Sequence, residues 1–463
     1  MTDTLRCITP VDGSVYVERP LASSSQTISA LSRAQAAQAD WQLTSIEQRQ
    51  QFATAMVNTF IAESKAIAEE ICRQMGRPRS QCMGEVGGFE ERARHMITIA
   101  PEALADVQVE PRDGFQRFIR REPAGVVFVI APWNYPYLTA VNAVIPALMA
   151  GNAVLLKHSA QTPLCSERFA EAATKAGMPD GLLQALHLSH ANTSALVANP
   201  GIGYVSFTGS VPGGHAIQQS AATRFIGIGL ELGGKDPAYV RADADIGQAV
   251  DNIMDGIFFN SGQSCCGIER VYVHRNLYED FIERSAEFAA NYRLGDPTQS
   301  DTTIGPMVRT SAADFVRGQI SEAVSAGARC LVDESTFPAS QPATPYLAPQ
   351  LLVDVDHSMR VMSEETFGPV AGIMAVADDD EAVRLMNDSE FGLTASIWTR
   401  DSNAAIELGQ QIQTGTVFMN RCDYLDPALA WTGVKNSGHG CSLSVLGYEQ
   451  LTQPKSYHLR TEI

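Results

Sequence analysis

An alternation of strand and helix between residues 125 and 231 constrains this chain more than any other feature. Segments 125–131, 153–157, 204–207 and 225–231 read as strands; 137–150, 163–176 and 213–222 read as helices. Short strands spaced by helices build a parallel, doubly wound α/β sheet. Ligands of such sheets bind outside the carboxyl ends of the strands. Lys157, the turn Thr208-Gly209-Ser210 and Glu231 all fall at such ends.

A second α/β series follows. Residues 246–259 read as a helix, 270–274 as a strand and 277–294 as a helix, with strands at 370–376, 394–399 and 415–419 separated by helices. This predicts a second α/β domain. Before the first series, apolar residues recur at helical spacing over 28–38 and 46–75, and Gly76-Arg77-Pro78 stops the second run. Residues 107–121 read as a β-hairpin turning at Asp113-Gly114, and 455–459 as an edge strand. An exposed hairpin in an α/β chain either pairs with another subunit, because a free edge invites pairing, or lies on the surface; the sequence leaves both open. At about 150 residues per domain, 463 residues accommodate about three domains.

Charge narrows the function classes. The 34 Lys and Arg against 52 Asp and Glu leave a net charge of −18. Nucleic-acid binding relies on Lys and Arg neutralising phosphates, and this chain does not supply them. The cluster Arg117, Arg120 and Arg121, beside Glu122, reads as a solvated hairpin face. Residues 1–10 lack a signal-peptide core, and 125–131 is too short to cross a bilayer. A soluble, cytoplasmic protein is expected. The nine cysteines show no framework spacing, and neither C-x-x-C nor H-E-x-x-H occurs. Reduced thiols and no structural metal are expected.

Five short segments carry chemistry. Asn260-Ser261-Gly262-Gln263-Ser264-Cys265-Cys266 delivers two thiols into a turn after a helix, where a thiolate nucleophile has access. Pro132-Trp133-Asn134-Tyr135-Pro136 fixes Asn134 on a rigid turn, and an amide there can donate to an oxyanion. Glu231-Leu232-Gly233-Gly234-Lys235 ends a strand in a carboxylate fit for general-base work, with glycines that allow close backbone approach. Phe207-Thr208-Gly209-Ser210, followed by Gly213-Gly214, is a Gly-rich strand-to-helix turn able to hold a pyrophosphate, though not G-x-G-x-x-G. Glu364-Glu365-Thr366-Phe367-Gly368-Pro369 offers a carboxylate for a ribose and an aromatic ring for a nicotinamide. Each is weak alone: Cys is usually a small buried hydrophobe and Asn a turn former.

In this order and spacing the segments resemble the aldehyde dehydrogenase superfamily over nearly the whole chain. The resemblance rests on 132–136, Lys157, 207–210, 231–235, 262–265, 365–369 and 433–438. It implies NAD or NADP as cofactor and an aldehyde as substrate. It implies a dinucleotide-binding domain (1–105 and 124–233), a catalytic domain (234–440) and a small β oligomerisation element (106–123 and 441–463), with homodimers or homotetramers. Cys265, after Gly-Gln-x, matches the nucleophile, with Cys266 its neighbour. Asn134 matches the oxyanion-hole residue and Glu231 the general base. Lys157 and Glu365 match residues that hold the cofactor riboses, Gly209 and Ser210 the pyrophosphate turn, and Phe367 the aromatic near the nicotinamide ribose. Trp133 and Gly233 are placed beside the cofactor.

Two departures bear on specificity. Many NAD-preferring members carry Glu three residues after the cofactor Lys; here that residue is Ala160, which predicts tolerance of NADP, with Lys157 and His158 beside the 2′-phosphate. Trp431-Thr432-Gly433-Val434-Lys435 replaces the commoner Phe-Gly-Gly-Tyr-Lys. With Tyr135, Trp431 favours an apolar or aromatic aldehyde, whereas Arg421 as an anchor favours a semialdehyde; a structural Arg421 is the third option. Coenzyme A-acylating relatives usually lack the base, and a non-catalytic oligomer would be expected to have lost Cys265, Asn134 or Glu231. All three residues are present.

Overall fold

The first series folds into a six-stranded sheet ordered Gly438–His439, Gly227–Glu231, Tyr204–Thr208, Val126–Ala131, Ala153–His158 and Leu183–Ala185 in a computed structural model that describes residues 3–462. All neighbours are parallel except the edge strand Gly438–His439. Val126–Ala131 is buried at every position, as an apolar strand covered on both faces must be. The chain runs from it to one side, then returns to build Tyr204–Thr208 and Gly227–Glu231 on the other. The strand order therefore reverses beside Val126–Ala131, and the crevice at its carboxyl end is where such sheets take ligands.

A seven-stranded sheet is ordered Arg329–Cys330, Gln350–Val353, Val370–Val376, Ile268–His274, Asp236–Val240, Thr394–Trp398 and Thr416–Met419. Asp236–Val240, not expected from the sequence, is one of its central strands and is wholly buried. It begins five residues after Glu231 ends a strand of the first sheet, so residues 232–235 carry the chain from one sheet to the other. The third sheet orders Thr452–Arg460, Phe115–Pro123 and Val107–Gln108. Arg112 bridges Phe115 across the Asp113-Gly114 turn, where Gly114 has φ +76°. Phe118 stacks on Tyr457 at 4.6 Å. The arginines here are engaged: Arg120 pairs with Asp106, Arg121 with Glu449, and Arg117 donates to the Glu110 carbonyl.

Helices cover the first sheet. The run expected over 46–75 breaks at Glu63 into Ile46–Ala62 and Ser64–Met75, and the latter ends at Gly76 in a left-handed conformation. The helix Arg79–Ala103 was not read from the sequence, because glycines and charges interrupt its composition. Cys82, Val86, Phe89, Ala93, Met96 and Ala100 nevertheless lie three or four apart and are buried, the spacing of one helix face. Gly88 lets this helix close on Pro136–Met149, since a Cβ there would lie 2.7 Å from Leu138 Cδ2. The same face carries Glu85 and Arg92 into the interior. Among the described residues no helix is long and apolar enough to cross a membrane.

Candidate active site

Cys265 is held by a tight turn. The helix Ile246–Phe258 ends, and Asn260, Ser261 and Gly262 follow with φ of 53°, 56° and 68°. A Cβ at Gly262 would lie 2.1 Å from the Gly368 carbonyl oxygen, so only glycine fits. Asn260 Nδ2 donates to the carbonyls of Asn134 (3.3 Å) and Gln263 (3.1 Å), and Val308 N–H donates to Gln263 Oε1 (2.8 Å). The turn leaves Cys265 partly exposed and Cys266 buried. Cys266 Sγ donates to Asp423 Oδ1 (2.9 Å), as does Ser264 Oγ (3.0 Å). Its contact with Cys265 and its burial push the Cys266 thiol well up, so it stays protonated and inert.

A buried ion pair locks Asn134 to this turn. Arg77 and Glu85 bond with side-chain exposures of 1% and 0%. Arg77 also donates to the Asn134 carbonyl and, at 3.1 Å, to Asn260 Oδ1. Glu85 Oε1 accepts from the amides of Tyr137 (2.8 Å) and Leu138 (3.4 Å), orphan donors at the start of Pro136–Met149. Asn134 Nδ2 donates to the Gln263 carbonyl at 3.2 Å, which places the amide against the segment bearing Cys265. The sequence reading missed Arg77 and Glu85. Arg77 sat inside a helix stop, and nothing local marks a charge that will be buried.

Glu231 ends its strand between two hydroxyl donors, Thr208 Oγ1 at 3.0 Å and Ser442 Oγ at 2.6 Å. Burial pushes its carboxyl above the usual range against the pull of those donors. The next residues thread a narrow passage: a Cβ at Gly233 would lie 2.3 Å from Glu365 Oε1, and one at Gly234 2.3 Å from the Cys265 carbonyl. Ser442 had no sequence signal, since 211 residues separate it from Glu231.

The predicted cofactor residues gather at the strand ends. Glu365 Oε1 accepts from Gly234 N–H (3.0 Å), and burial, aided by Glu269, pushes its carboxyl up to about 7. The unpredicted Glu269 is buried and accepts from Lys235 Nζ (2.6 Å) and the amides of Thr366 and Phe367 (both 2.8 Å). It fixes the Glu365–Phe367 turn, where Phe367 has φ 51° and meets the Trp133 ring edge-on at 5.6 Å. Gly209 N–H donates to the Glu231 carbonyl (3.0 Å), and Ser210 Oγ accepts from Gly213 N–H (3.3 Å), capping Val211–Ala221. Lys157, partly buried, spends only one bond, to the His158 carbonyl at 3.3 Å. His158 does not join it. The ring is buried against the Pro136 carbonyl (2.9 Å), and burial lowers its pKa to about 4. The expectation that His158 assists a 2′-phosphate is therefore corrected.

A cavity of about 350 Å³ joins Cys265 and Glu231, with Tyr135, Trp431, Arg92 and Asn142 in its wall. Tyr135 and Trp431 thus lie at the pocket, as expected. Asn134 sits just behind it, and Lys157, Gly209, Ser210, Glu365, Phe367, Trp133 and Gly233 lie outside it. Arg421 is exposed, outside the wall, with its guanidinium 3.5 Å above the Tyr424 ring.

Comparison with known proteins gives the family of the chain. The aldehyde dehydrogenase family profile matches residues 1–457. The chain is 33% identical over 456 residues to succinate-semialdehyde dehydrogenase [NADP(+)] 1 of Mycobacterium tuberculosis, covering 97% of this chain and 98% of that one. It is 34% identical over 460 residues to 3,6-anhydro-alpha-L-galactose dehydrogenase of Streptomyces coelicolor, covering 99% and 93%. Its fold superposes on the crystal structure of succinic semialdehyde dehydrogenase from Streptococcus pyogenes in complex with NADP+ with TM-score 0.94, at 26% identity and 98% and 100% coverage. The chain belongs to the aldehyde dehydrogenase family, as an oxidoreductase that acts on aldehydes with NAD or NADP.

Proposed function

We propose that this chain oxidises an aldehyde to its carboxylic acid through a thioester on Cys265. The observation that supports this best is the shared cavity of Cys265 and Glu231, with Asn134 bonded to the turn behind the thiol. The strand-end residues suit a dinucleotide. The start of the Ser210-capped helix, with the free Val211 amide in its first turn and Gly209 giving close backbone access, suits a pyrophosphate. Lys157 has donors to spare, Glu365 has a free acceptor oxygen for a ribose, Gly233 lets the backbone close on Glu365, and Trp133 and Phe367 form an aromatic wall. Bound NAD or NADP supplies the hydride acceptor.

The chain's own residues do the rest. The Cys265 thiolate adds to the aldehyde carbon, forming a C–S bond as the carbonyl becomes an oxyanion. Asn134 Nδ2 and the Cys265 backbone N–H hold that oxyanion; losing one such donor costs about 2.7–4 kcal/mol of barrier. After oxidation the thioester remains on Cys265. Glu231 takes a proton from water, the hydroxide adds to the thioester carbon, and the C–S bond breaks to return the thiolate and release the acid. Ala160, exposed three residues after Lys157, presents no carboxylate to repel a 2′-phosphate, so NADP is accepted.

Residues 1–105 with 124–233 form the cofactor domain in this reading, 234–440 the catalytic domain, and 106–123 with 441–463 the oligomerisation element. Thr452–Arg460 is an open, largely exposed edge strand, suited to pairing in a homodimer or homotetramer. The nine unpaired cysteines fit a reducing, cytoplasmic setting. The test is nicotinamide reduction with a panel of aliphatic, aromatic and carboxylated aldehydes. Activity that disappears in Cys265→Ala, with cofactor binding retained, is expected. Wild-type turnover in that variant overturns the assignment.

A further inference from the structure

We propose that Arg92 and Asn142 form an anchor for a carboxylate at the far end of the substrate, so that the aldehyde taken by this chain is an ω-carboxy aldehyde. This rests on the reading of Cys265 and Glu231 as the reacting end of the same cavity.

Arg92 comes from the Arg79–Ala103 helix and Asn142 from Pro136–Met149, and both side chains line the cavity. Their residues are 7% and 3% exposed. Arg92 Nη1 is spent on the Leu138 carbonyl (2.7 Å), with Asn142 Oδ1 at 3.5 Å. Among the described residues nothing accepts from Arg92 Nε or Nη2, and nothing accepts from Asn142 Nδ2. No carboxylate lies within ion-pair distance of Arg92; the fields of Glu231, Glu85 and Glu91 reach it only through space.

A buried guanidinium without a counter-ion is costly to desolvate. Arg77, the other cation of the cavity, is fully engaged by Glu85, Asn134 and Asn260. Of the carboxylates in the cavity wall, Glu91 accepts from Tyr424 Oη (2.8 Å), Asp423 from Ser264 and Cys266, Glu231 from Thr208 and Ser442, and Glu85 from Arg77, while the exposed Asp255 carboxylate accepts from no side chain or amide among the described residues. The protein thus leaves a charged fork and a neighbouring amide N–H facing a space that ends at the thiol. A carboxylate suits that set, because its two oxygens accept from guanidinium and amide together. Tyr135, Leu138 and Trp431 supply apolar wall for the carbons between. Exposed Arg421 does not reach this space.

The test compares straight-chain ω-carboxy aldehydes of three to six carbons with neutral aldehydes in which a methyl replaces the carboxylate. In the parent, kcat/KM at the best length should favour the carboxylated substrate by about 30-fold or more, the scale of one charge-assisted hydrogen bond. In Arg92→Leu that ratio should fall to near one, and Arg92→Lys should recover part of it. A structural loss lowers both substrates alike, so an unchanged ratio in Arg92→Leu overturns the anchor. No carboxylate preference in the parent also overturns it, as does a hydroxylated aldehyde that outruns the carboxylated one. Calorimetry with succinate and glutarate on Cys265→Ala separates the anchor from the chemistry. Binding that vanishes in Cys265→Ala/Arg92→Leu supports the anchor even if no aldehyde is oxidised. Absent binding to Cys265→Ala speaks against it, whatever the turnover.

Discussion

Replacing Glu85 with Gln probes the node beneath the site. Arg77 and Glu85 are essentially without solvent, and Arg77 also holds the Asn134 carbonyl and the Asn260 side chain. The substitution removes the negative charge, keeps the shape, and leaves a buried guanidinium unpaired. Breaking a buried pair in this way costs about 3–5 kcal/mol. Unfolding entropy is about 2.1 cal/mol/K per residue, or about 1 kcal/mol/K over 463 residues, so the apparent Tm should fall by about 3–5 °C. Scanning fluorimetry at fixed heating rate reads this. Arg77→Met with Glu85→Leu should recover more than half of the loss, because an apolar pair of similar volume carries no desolvation cost. Activity should still fall in the double variant, since the Asn134 carbonyl has lost its charged donor and keeps only Asn260 Nδ2 at 3.3 Å. A Glu85→Gln shift under about 1 °C refutes the reasoning. So does a double variant that loses the sum of the two single losses.

Four further outcomes are expected. Glu231 must be ionised to take a proton from water and burial raises its pKa, so kcat should fall with pH through a value above the ordinary carboxylate range; Ser442→Ala, which removes a donor to the carboxylate, should move that limb to higher pH. A limb that stays put excludes Ser442 from tuning the base. Glu365, raised to about 7, accepts best as carboxylate, so cofactor affinity measured by calorimetry should weaken as pH drops through about 7, and Glu365→Gln should flatten the dependence. Gly262→Ala imposes about 1–2 kcal/mol of left-handed strain and a 2.1 Å clash with the Gly368 carbonyl; kcat should fall at least about tenfold, and unaltered kcat argues that the turn is not rigid. Ala160→Glu should lower the NADP:NAD ratio of kcat/KM by about tenfold or more, by setting a carboxylate against the 2′-phosphate.

The strands at 125–131 and 153–157 were readable because buried parallel strands are short apolar runs, and those at 204–207 and 225–231, buried only in part, because turn residues mark their ends. Asp236–Val240 was not, because it opens on Asp-Pro, a pair that reads as a turn, nor was Leu183–Ala185, which spans only three residues. Arg79–Ala103 hid because its apolar spacing is diluted by Gly84, Gly87, Gly88 and charges, and its stability comes from the surface it packs on. Similarly, Cys265, Asn134 and Glu231 lie within compact local motifs. Their supports, Arg77 with Glu85, Ser442 and Glu269, come from distant segments and bear no signature before the chain folds.

By itself the sequence determined the alternating α/β plan and the motif residues, because periodicity and turn chemistry act over a few residues. Only the tertiary structure decided which charges are buried and with whom. It bonded His158 to Pro136 rather than leaving it at the cofactor edge, left Arg421 on the surface, and turned Arg92 inward without a counter-ion. Burial sets whether a charge is solvated, paired or left for a ligand, and burial depends on segments that meet only in the fold.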